Sequence, residues 1–227
     1  TGIARCWIEE YWIYQDHSED ILRKSKQMID KAFKIDSDLP EAHLALGIYY
    51  YHGYLNYPEA LKQFELALKY QPKNPEVIFW SACVHRRAGD WVMAKSEFEK
   101  AIELNPGRSD YAFDAGITFD LFREYSKAEE FYNMAIILQP DRDDFYLNLS
   151  AMYLRWNGDM RRAREVLGNC ARNNKNSMSD SLIIETYALI DIYEGKYEEA
   201  LKNISFLKYD YIQTQDYFRP KYMYKAT

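Results

Sequence analysis

The sequence contains little glycine, proline and cysteine for its 227 residues. Nine glycines and seven prolines are too few for the many tight turns of a β-barrel or β-sandwich of this length. The three cysteines, Cys6, Cys83 and Cys170, lie too far apart for a Cys-x-x-Cys metal motif, and their odd number argues against a disulfide framework. The sequence also lacks an apolar run of the roughly 18 residues that a membrane-spanning helix needs, and no signal-peptide pattern opens it.

The charge balance is mildly acidic, with 35 Asp and Glu residues against 29 Lys and Arg residues. This balance disfavours nucleic acid as a partner, and the missing apolar run predicts no membrane contact. Unpaired cysteines without an export signal favour a cytoplasmic location. Because the sequence starts with Thr1 and neither end offers a polar cap, we expect a fragment of a longer protein, or ends that are covered by self-association.

Small residues recur at spacings of 34 to 37 and reveal an internal repeat: Ala60, Ala94, Ala128, Ala163 and Ala200. A second column of small residues lies seven positions further on: Ala67, Ala101, Ala135 and Cys170. Large side chains form a third column between them: Phe64, Phe98, Tyr132, Leu167 and Ile204. Prolines close three of the repeats: Pro72, Pro106 and Pro140. Three columns in one register predict a chain of stacked supersecondary units.

The clearest copy of the repeat has the following order of residues: His43-x₂-Leu46-Gly47-x₂-Tyr50, Ala60-x₃-Phe64 and Pro72. It resembles the tetratricopeptide (TPR) pattern W-x₂-L-G-x₂-Y…A-x₃-F…P, and the style of the repeats is similar to TPR modules of bacterial multidomain signalling proteins. The resemblance implies an all-α fold, a right-handed α-solenoid of antiparallel helix pairs, in a single domain over residues 1–227. We expect repeats at residues 3–39, 40–74, 75–108, 109–142, 143–179 and 181–214, and the start of a further helix at 215–227.

The physical chemistry of the columns agrees with this resemblance. Each unit supplies two amphipathic helices of about a dozen residues, and the small residues let the two helices approach closely. Gly89, Gly158 and Gly195 are predicted to end first helices in a left-handed cap, and the prolines to end second helices.

Sequence motifs for chemistry are missing. No phosphate-binding loop, dinucleotide fingerprint, nucleophile elbow or His-Glu-x-x-His string occurs. The four histidines, His17, His43, His52 and His85, occupy different repeat positions, which disfavours a shared metal site. We therefore expect no catalytic, cofactor-binding or metal-binding residue, and a protein that is not an enzyme.

The TPR resemblance implies that the first helices of successive repeats line a concave groove through repeat positions two, five, nine and twelve. Carried over by register, it implies the following partner-binding residues: Glu41, Leu44, Ile48, Tyr51, Glu76, Phe79, Cys83, Arg86, Arg87, Asp110, Phe113, Ile117, Asp144, Leu147 and Arg155. Such a groove has an acidic rim, an apolar floor and a partly basic opposite rim. The acids at position two have a second interpretation, as helix-start residues that complement the macrodipole.

The leading hypothesis is a non-enzymatic scaffold that binds a peptide or protein segment with Leu or aromatic anchors in this groove. The alternative is a regulatory or self-associating segment of a larger bacterial signalling protein with a cyclase, kinase or transcription-regulator domain. Homo-oligomers through the aromatic C-terminal end are compatible with both. The acids Asp110 and Asp114 would repel a carboxylate, which disfavours the binding of chaperone tails.

Overall fold

The structure, a computed structural model, describes residues 1–13, 18–173, 181–206, 211–213 and 218–220. Within these ranges the chain forms twelve α-helices: α1 (Gly2–Ile13), α2 (Glu19–Ile35), α3 (Pro40–Tyr54), α4 (Tyr57–Tyr70), α5 (Pro75–Ala88), α6 (Trp91–Leu104), α7 (Ser109–Leu121), α8 (Tyr125–Leu138), α9 (Asp143–Asn157), α10 (Met160–Asn173), α11 (Ser181–Tyr193) and α12 (Tyr197–Ser205). Two short strands, β1 (Tyr211–Gln213) and β2 (Phe218–Pro220), pair antiparallel. The predicted helical architecture is confirmed for the described residues outside this hairpin.

The helices pack as consecutive pairs. Helix α3 packs along α4, α5 along α6, α9 along α10 and α11 along α12, and the second helix of one pair also contacts the first helix of the next, as α4 does with α5. A short turn joins the two helices of each pair, so they run antiparallel. The chain divides into two compact units, a first unit (Thr1–Thr118) and a second unit (Phe119–Thr227), with the boundary inside α7.

The repeated small residues lie where the two helices of a pair touch. Ala60, Ala94, Ala128 and Ala163 are 0% exposed and Ala200 is 3% exposed. The large side chains of the third column are buried as well, among them Phe64 and Phe98. The first and the third column of the repeat therefore form the contact surface within the helix pairs.

The turns between paired helices share one backbone conformation. Gly89, Gly158 and Gly195 have positive φ values of 85°, 67° and 74°, which confirms the predicted left-handed caps. Leu55 and Arg123 occupy the equivalent turns with φ values of 51° and 63°. In all five turns the amide of the following residue donates to a carbonyl oxygen five or six residues earlier, so a backbone hydrogen bond closes each turn.

The C-terminal end differs from the prediction. Residues 215–227 were expected to start a further helix, but the structure has a strand at Phe218–Pro220, in which Phe218 pairs with Gln213. This segment is rich in aromatic residues that favour strands, and Pro220 lies at the end of β2 opposite Tyr211, where a missing N–H is tolerated. The rest of 215–227 lies outside the described residues.

Gly47→Ala is expected to destabilise the first unit. A Cβ atom on Gly47 would overlap the ring of Phe64, and overpacking of this kind costs about 1–3 kcal/mol, more than the gain in helix propensity. Gly168→Ala is the matched control, because Gly168 lies in α10 with no heavy atom within 4 Å of an added Cβ. Urea unfolding should show a lower free energy of unfolding for Gly47→Ala and a free energy about 0.5–1 kcal/mol higher for Gly168→Ala. Equal effects would contradict the close approach at Gly47.

Candidate functional site

In the first unit, the predicted apolar floor is buried. Five of the expected groove residues on α3 and α5 are at most 6% exposed: Leu44, Ile48, Tyr51, Phe79 and Cys83. We call these five side chains the first-unit face. Helix α1 packs along α3, and its Ala4 and Ile8 are completely buried. The sequence predicted a partner on this face, whereas in the structure α1 packs along its α3 side and Tyr111 of α7 stacks on Phe79, with the ring centroids 4.5 Å apart.

Polar and aromatic contacts hold both ends of α1. Arg5 donates hydrogen bonds to the carboxylate of Glu76 at the start of α5. Near the other end, the ring of Trp12 stacks on His52, with the ring centroids 4.6 Å apart, and lies 6.3 Å from the ring of Tyr51. Because its early residues contact the start of a first helix and its late residues the end of one, α1 runs in the same direction as α3.

Burial shifts the acid–base equilibria of this region. It lowers the pKa of His52 to about 3 and raises that of Tyr51 to about 12, so both side chains are neutral near pH 7. Burial also raises the pKa of the Cys83 thiol, which disfavours the reactive thiolate. Neutral aromatic groups of this kind suit packing against α1.

Most polar residues of the predicted rims have intramolecular partners. Gln71 donates to Glu41 at 3.0 Å, and Arg108 donates to Asp110 at 2.8 Å. Arg86 donates to the carboxylate of Asp114 at 2.7 Å. The other three predicted residues of the first unit lie at the surface, with Arg87 exposed and two side chains half-buried: Phe113 and Ile117. A role for these residues in partner binding stays a prediction.

In the second unit, the equivalent positions form an open groove between α9 and α11. Its volume is about 430 Å³. Apolar side chains from both helices make its floor: Leu147, Ala151, Leu154, Leu182 and Leu189. Polar side chains line its edges: Asp144, Asn148, Arg155, Glu185 and Thr186. We call this surface the second-unit groove; it brings together three of the predicted residues, Asp144, Leu147 and Arg155.

The residues of α11 were missed by the sequence analysis. Ala188 aligns with Gly47 and Ser150 in the repeat, so Leu182 and Leu189 fall at positions two and nine of the weak fifth copy. Extending the register to this copy would have found them. The signal was faint because the fifth copy lacks the closing proline and has Glu185 at position five.

The charges of the second-unit groove are ordered along its length. Asp144, at the start of α9, accepts hydrogen bonds from Arg142 at 2.9 and 2.5 Å, and Glu185 lies near the start of α11. At the far end of α9, Arg155 is paired with the buried Asp120, yet its side chain is 51% exposed. The groove therefore has an apolar middle between the Arg142–Asp144 pair at one end of α9 and the Arg155–Asp120 pair at the other.

A smaller pocket of about 320 Å³ adjoins the end of the groove at Arg155 and shares this residue with it. It is lined by Asp120, Leu121, Arg123 and Tyr125 besides Arg155. The ring of Tyr125 stacks on Trp156 with a centroid distance of 5.6 Å. An aromatic wall beside a guanidinium suits a large apolar or aromatic side chain of a partner.

The nearest approach to a catalytic arrangement lies between α5 and α6. Ser81 donates to Glu97 at 3.0 Å, while His85 Nε2 is 3.8 Å from the second oxygen of Glu97. The serine hydroxyl thus points to the carboxylate and not to the imidazole, which does not match a nucleophile with an adjacent base. Among the described residues, no group of three His, Cys, Asp or Glu side chains could hold a metal ion; His17 lies outside them.

None of the described helices combines the length and the apolar character that crossing a membrane requires.

Glu97→Gln is expected to stabilise the protein at alkaline pH. Burial raises the pKa of Glu97 from 4.5 to about 7, and the hydrogen bond from Ser81 only partly opposes this. A raised folded-state pKa contributes stability below about pH 4.5 that is lost as the pH rises through about 7. The stability gain of the variant over the parent should therefore grow between pH 5 and pH 8 in urea unfolding. Glu103→Gln, exposed on the same helix, is the control. A stability gain of Glu97→Gln that does not depend on pH would contradict the raised pKa of Glu97.

Ile8→Ala is expected to open the first-unit face. Loss of this buried side chain weakens the docking of α1 by about 2–5 kcal/mol. Because Trp12 of α1 lies against Tyr51, whose side chain neighbours Cys83, alkylation of Cys83 should accelerate. Cys170 is fully buried in the second unit and serves as the internal control for global unfolding. The exposed Cys6 reports the rate at which an accessible thiol is alkylated. Peptide-resolved mass spectrometry after a pulse of iodoacetamide distinguishes the three thiols. An equal rise at Cys83 and Cys170 would indicate global unfolding and contradict local cover by α1.

No protein-family model matches the sequence, and no curated protein matches it. The structure, by contrast, is similar to several solved structures. PilF of Pseudomonas aeruginosa has 18% identity and a TM-score of 0.67, with 91% of each chain covered. A thermophilic TPR protein of Thermus thermophilus has 19% identity and a TM-score of 0.55, with 74% of this chain and 89% of that chain covered.

A third solved structure is YrrB, described as a TPR protein with an unusual peptide-binding site. It has 21% identity and a TM-score of 0.57, with 73% of this chain and 82% of that chain covered. At identities this low, the similarity is evidence of a shared fold only. These structural similarities, together with the repeat columns and the paired helices, show that the chain has the tetratricopeptide-repeat fold.

Proposed function

We propose that this protein is a non-enzymatic interaction scaffold that binds a peptide or protein segment in the second-unit groove. The observation that carries the proposal is an apolar floor that remains partly exposed on α9 and α11. Leu147, Ala151 and Leu154 are half-buried, as are Leu182 and Leu189. Side chains of this kind form the centre of protein interfaces when a partner excludes water from them.

The contrast with the first unit supports this assignment. Leu44 and Ile48 have the same repeat positions as Leu147 and Ala151, and both are buried on α3, the helix along which α1 packs. A partner of the second-unit groove would bury its apolar floor in the same way. At about 25 cal/mol per Å² of apolar area, such burial stabilises a complex without any reaction chemistry.

The chemistry of the lining favours a polypeptide as the ligand. Leucines provide most of the floor, and the edges carry isolated polar groups of both signs. Apolar anchors set between polar flanks match an amphipathic segment with Leu or aromatic side chains. YrrB, with a similar fold, is described as having a peptide-binding site, which makes the same use of this fold physically reasonable.

Leu189→Asp is expected to abolish peptide capture. A charge on the floor would remain unpaired beneath the ligand, which costs at least about 1.4 kcal/mol or tenfold in affinity. Leu201→Asp is the matched control, since Leu201 is 50% exposed on α12 outside the groove. The immobilised parent chain and both variants would be used to select peptides from a displayed random library, after thermal melting shows that all three are folded.

Enrichment of a common motif by the parent and by Leu201→Asp, but not by Leu189→Asp, supports the proposal. Equal enrichment by all three chains, or by none, would overturn it. Light scattering over a concentration series tests the alternative of a self-associating segment. An increase in mass that Leu189→Asp leaves unchanged would favour that alternative.

A further inference from the structure

We propose that the smaller pocket beside the second-unit groove binds an acidic side chain of the ligand, and that Arg123 provides the cation for it. This inference rests on the proposed function and adds a charged subsite to it, so that the ligand carries Asp or Glu close to its large apolar anchors. It follows from the position of the pocket, from the balance of charges in its lining and from the turn that holds Arg123.

The smaller pocket is continuous with the second-unit groove. Arg155 lines both cavities, which have volumes of about 430 and 320 Å³, so a segment in the groove can extend past Arg155 into the pocket. The lining also offers apolar contact, through the ring of Tyr125 and through Leu121, which is 62% exposed. We call this cavity the Arg123 pocket. A ligand meets apolar surface and guanidinium groups there at the same place.

One of the two guanidinium groups of the lining is already neutralised. Arg155 pairs with the carboxylate of Asp120, which is 6% exposed and also accepts a hydrogen bond from Tyr132 at 3.3 Å. The side chain of Arg123, by contrast, has no hydrogen-bond or ion-pair partner within the described part of the chain. The lining therefore carries one uncompensated positive charge, which a single carboxylate of a ligand would balance.

The acidic neighbour of Arg123 in the chain does not supply this carboxylate. Glu124 follows Arg123 directly, but it is the half-buried N-cap residue of α8 and does not line the pocket. It also has an interaction partner of its own. Because Arg123 is exposed, an Asp or Glu side chain can reach it from a ligand backbone that remains in the groove.

The turn between α7 and α8 fixes the backbone of Arg123. Its amide donates to the carbonyl oxygen of Asp120 at 2.9 Å, and the next amide donates to that of Phe119 at 2.9 Å. The left-handed turn residues of the described chain are three glycines, Leu55 and Arg123, so Arg123 is the charged one among them. This conformation is unfavourable for a residue with a Cβ atom. Glycine at position 123 would therefore remove the charge without straining the turn, which separates binding from stability.

Selection from a random peptide library tests the subsite. The peptides are displayed as N-terminal fusions, so that only side chains supply carboxylates. The parent chain should enrich Asp or Glu at a fixed distance from the apolar anchors. Arg123→Gly should keep the anchors, lose the acidic residue and melt no lower than the parent. Leu55→Gly is the matched control, because it makes the same backbone change in the first unit and should retain the motif of the parent.

Charge reversal and affinity measurements complete the test. Arg123→Glu keeps a non-glycine residue in the turn and should select Lys or Arg in place of the acidic residue. One peptide selected by the parent is then synthesised with a C-terminal amide, together with a version in which Gln replaces Glu or Asn replaces Asp. Fluorescence anisotropy with the full chain should give a dissociation constant about threefold lower for the acidic version, the size expected of one exposed ion pair. With Arg123→Gly this difference should vanish.

The possible outcomes separate this inference from the proposed function. If the parent selects Leu189-dependent apolar peptides without an acidic residue, or if Arg123→Gly retains the acidic residue, the subsite is wrong and the proposed function stands. If a free C-terminal carboxylate improves binding and the acidic side chain does not, the assignment to a side chain is wrong. Loss of the acidic residue with Leu55→Gly would trace the effect to the turn and contradict a role of the charge. If no peptide is enriched, both proposals are wrong.

Discussion

The close approach of paired helices at small residues is the constraint on which the rest of the fold depends. At Gly47 the backbone lies so close to the ring of Phe64 that there is no space for a methyl group, and buried alanines have the same role in the later pairs. Once each pair is fixed in this way, its first helix presents repeat positions two, five, nine and twelve on one face. The spacing of small residues thus determines which side chains are available for binding.

Identical positions in the repeat have different surroundings in the two units. On α3 and α5 they are buried, and on α9 and α11 they line an open groove. The difference does not arise from the repeat itself, since Leu44 and Leu147 are the same residue type at the same position. It arises from the neighbouring helices, since α1 packs along α3 and Tyr111 of α7 stacks on Phe79. A surface of this fold is available to a partner only where its own chain leaves it uncovered.

The sequence predicted the helix pairs because each column of small or large residues records a contact between neighbours in the chain. It did not predict the contact of Arg5 with Glu76, since this contact joins residues 71 positions apart and occurs only once. A single long-range contact leaves no periodic signal. Likewise, the pairing of Tyr211 with Pro220 follows no repeat register, and the sequence therefore predicted the start of a further helix at residues 215–227. The open groove was predicted in part, through Asp144, Leu147 and Arg155.

The left-handed turns have a consequence for how such a chain can change. Leu55 and Arg123 adopt a conformation that usually favours glycine, and the backbone hydrogen bonds of the turn form regardless of the side chain. A non-glycine residue at such a position lowers the free energy of unfolding by on the order of 1 kcal/mol, which the packing of the helix pairs offsets. The tips of the helix pairs can therefore acquire new surface chemistry, residue by residue, while the helix spacing that holds the molecule together is preserved.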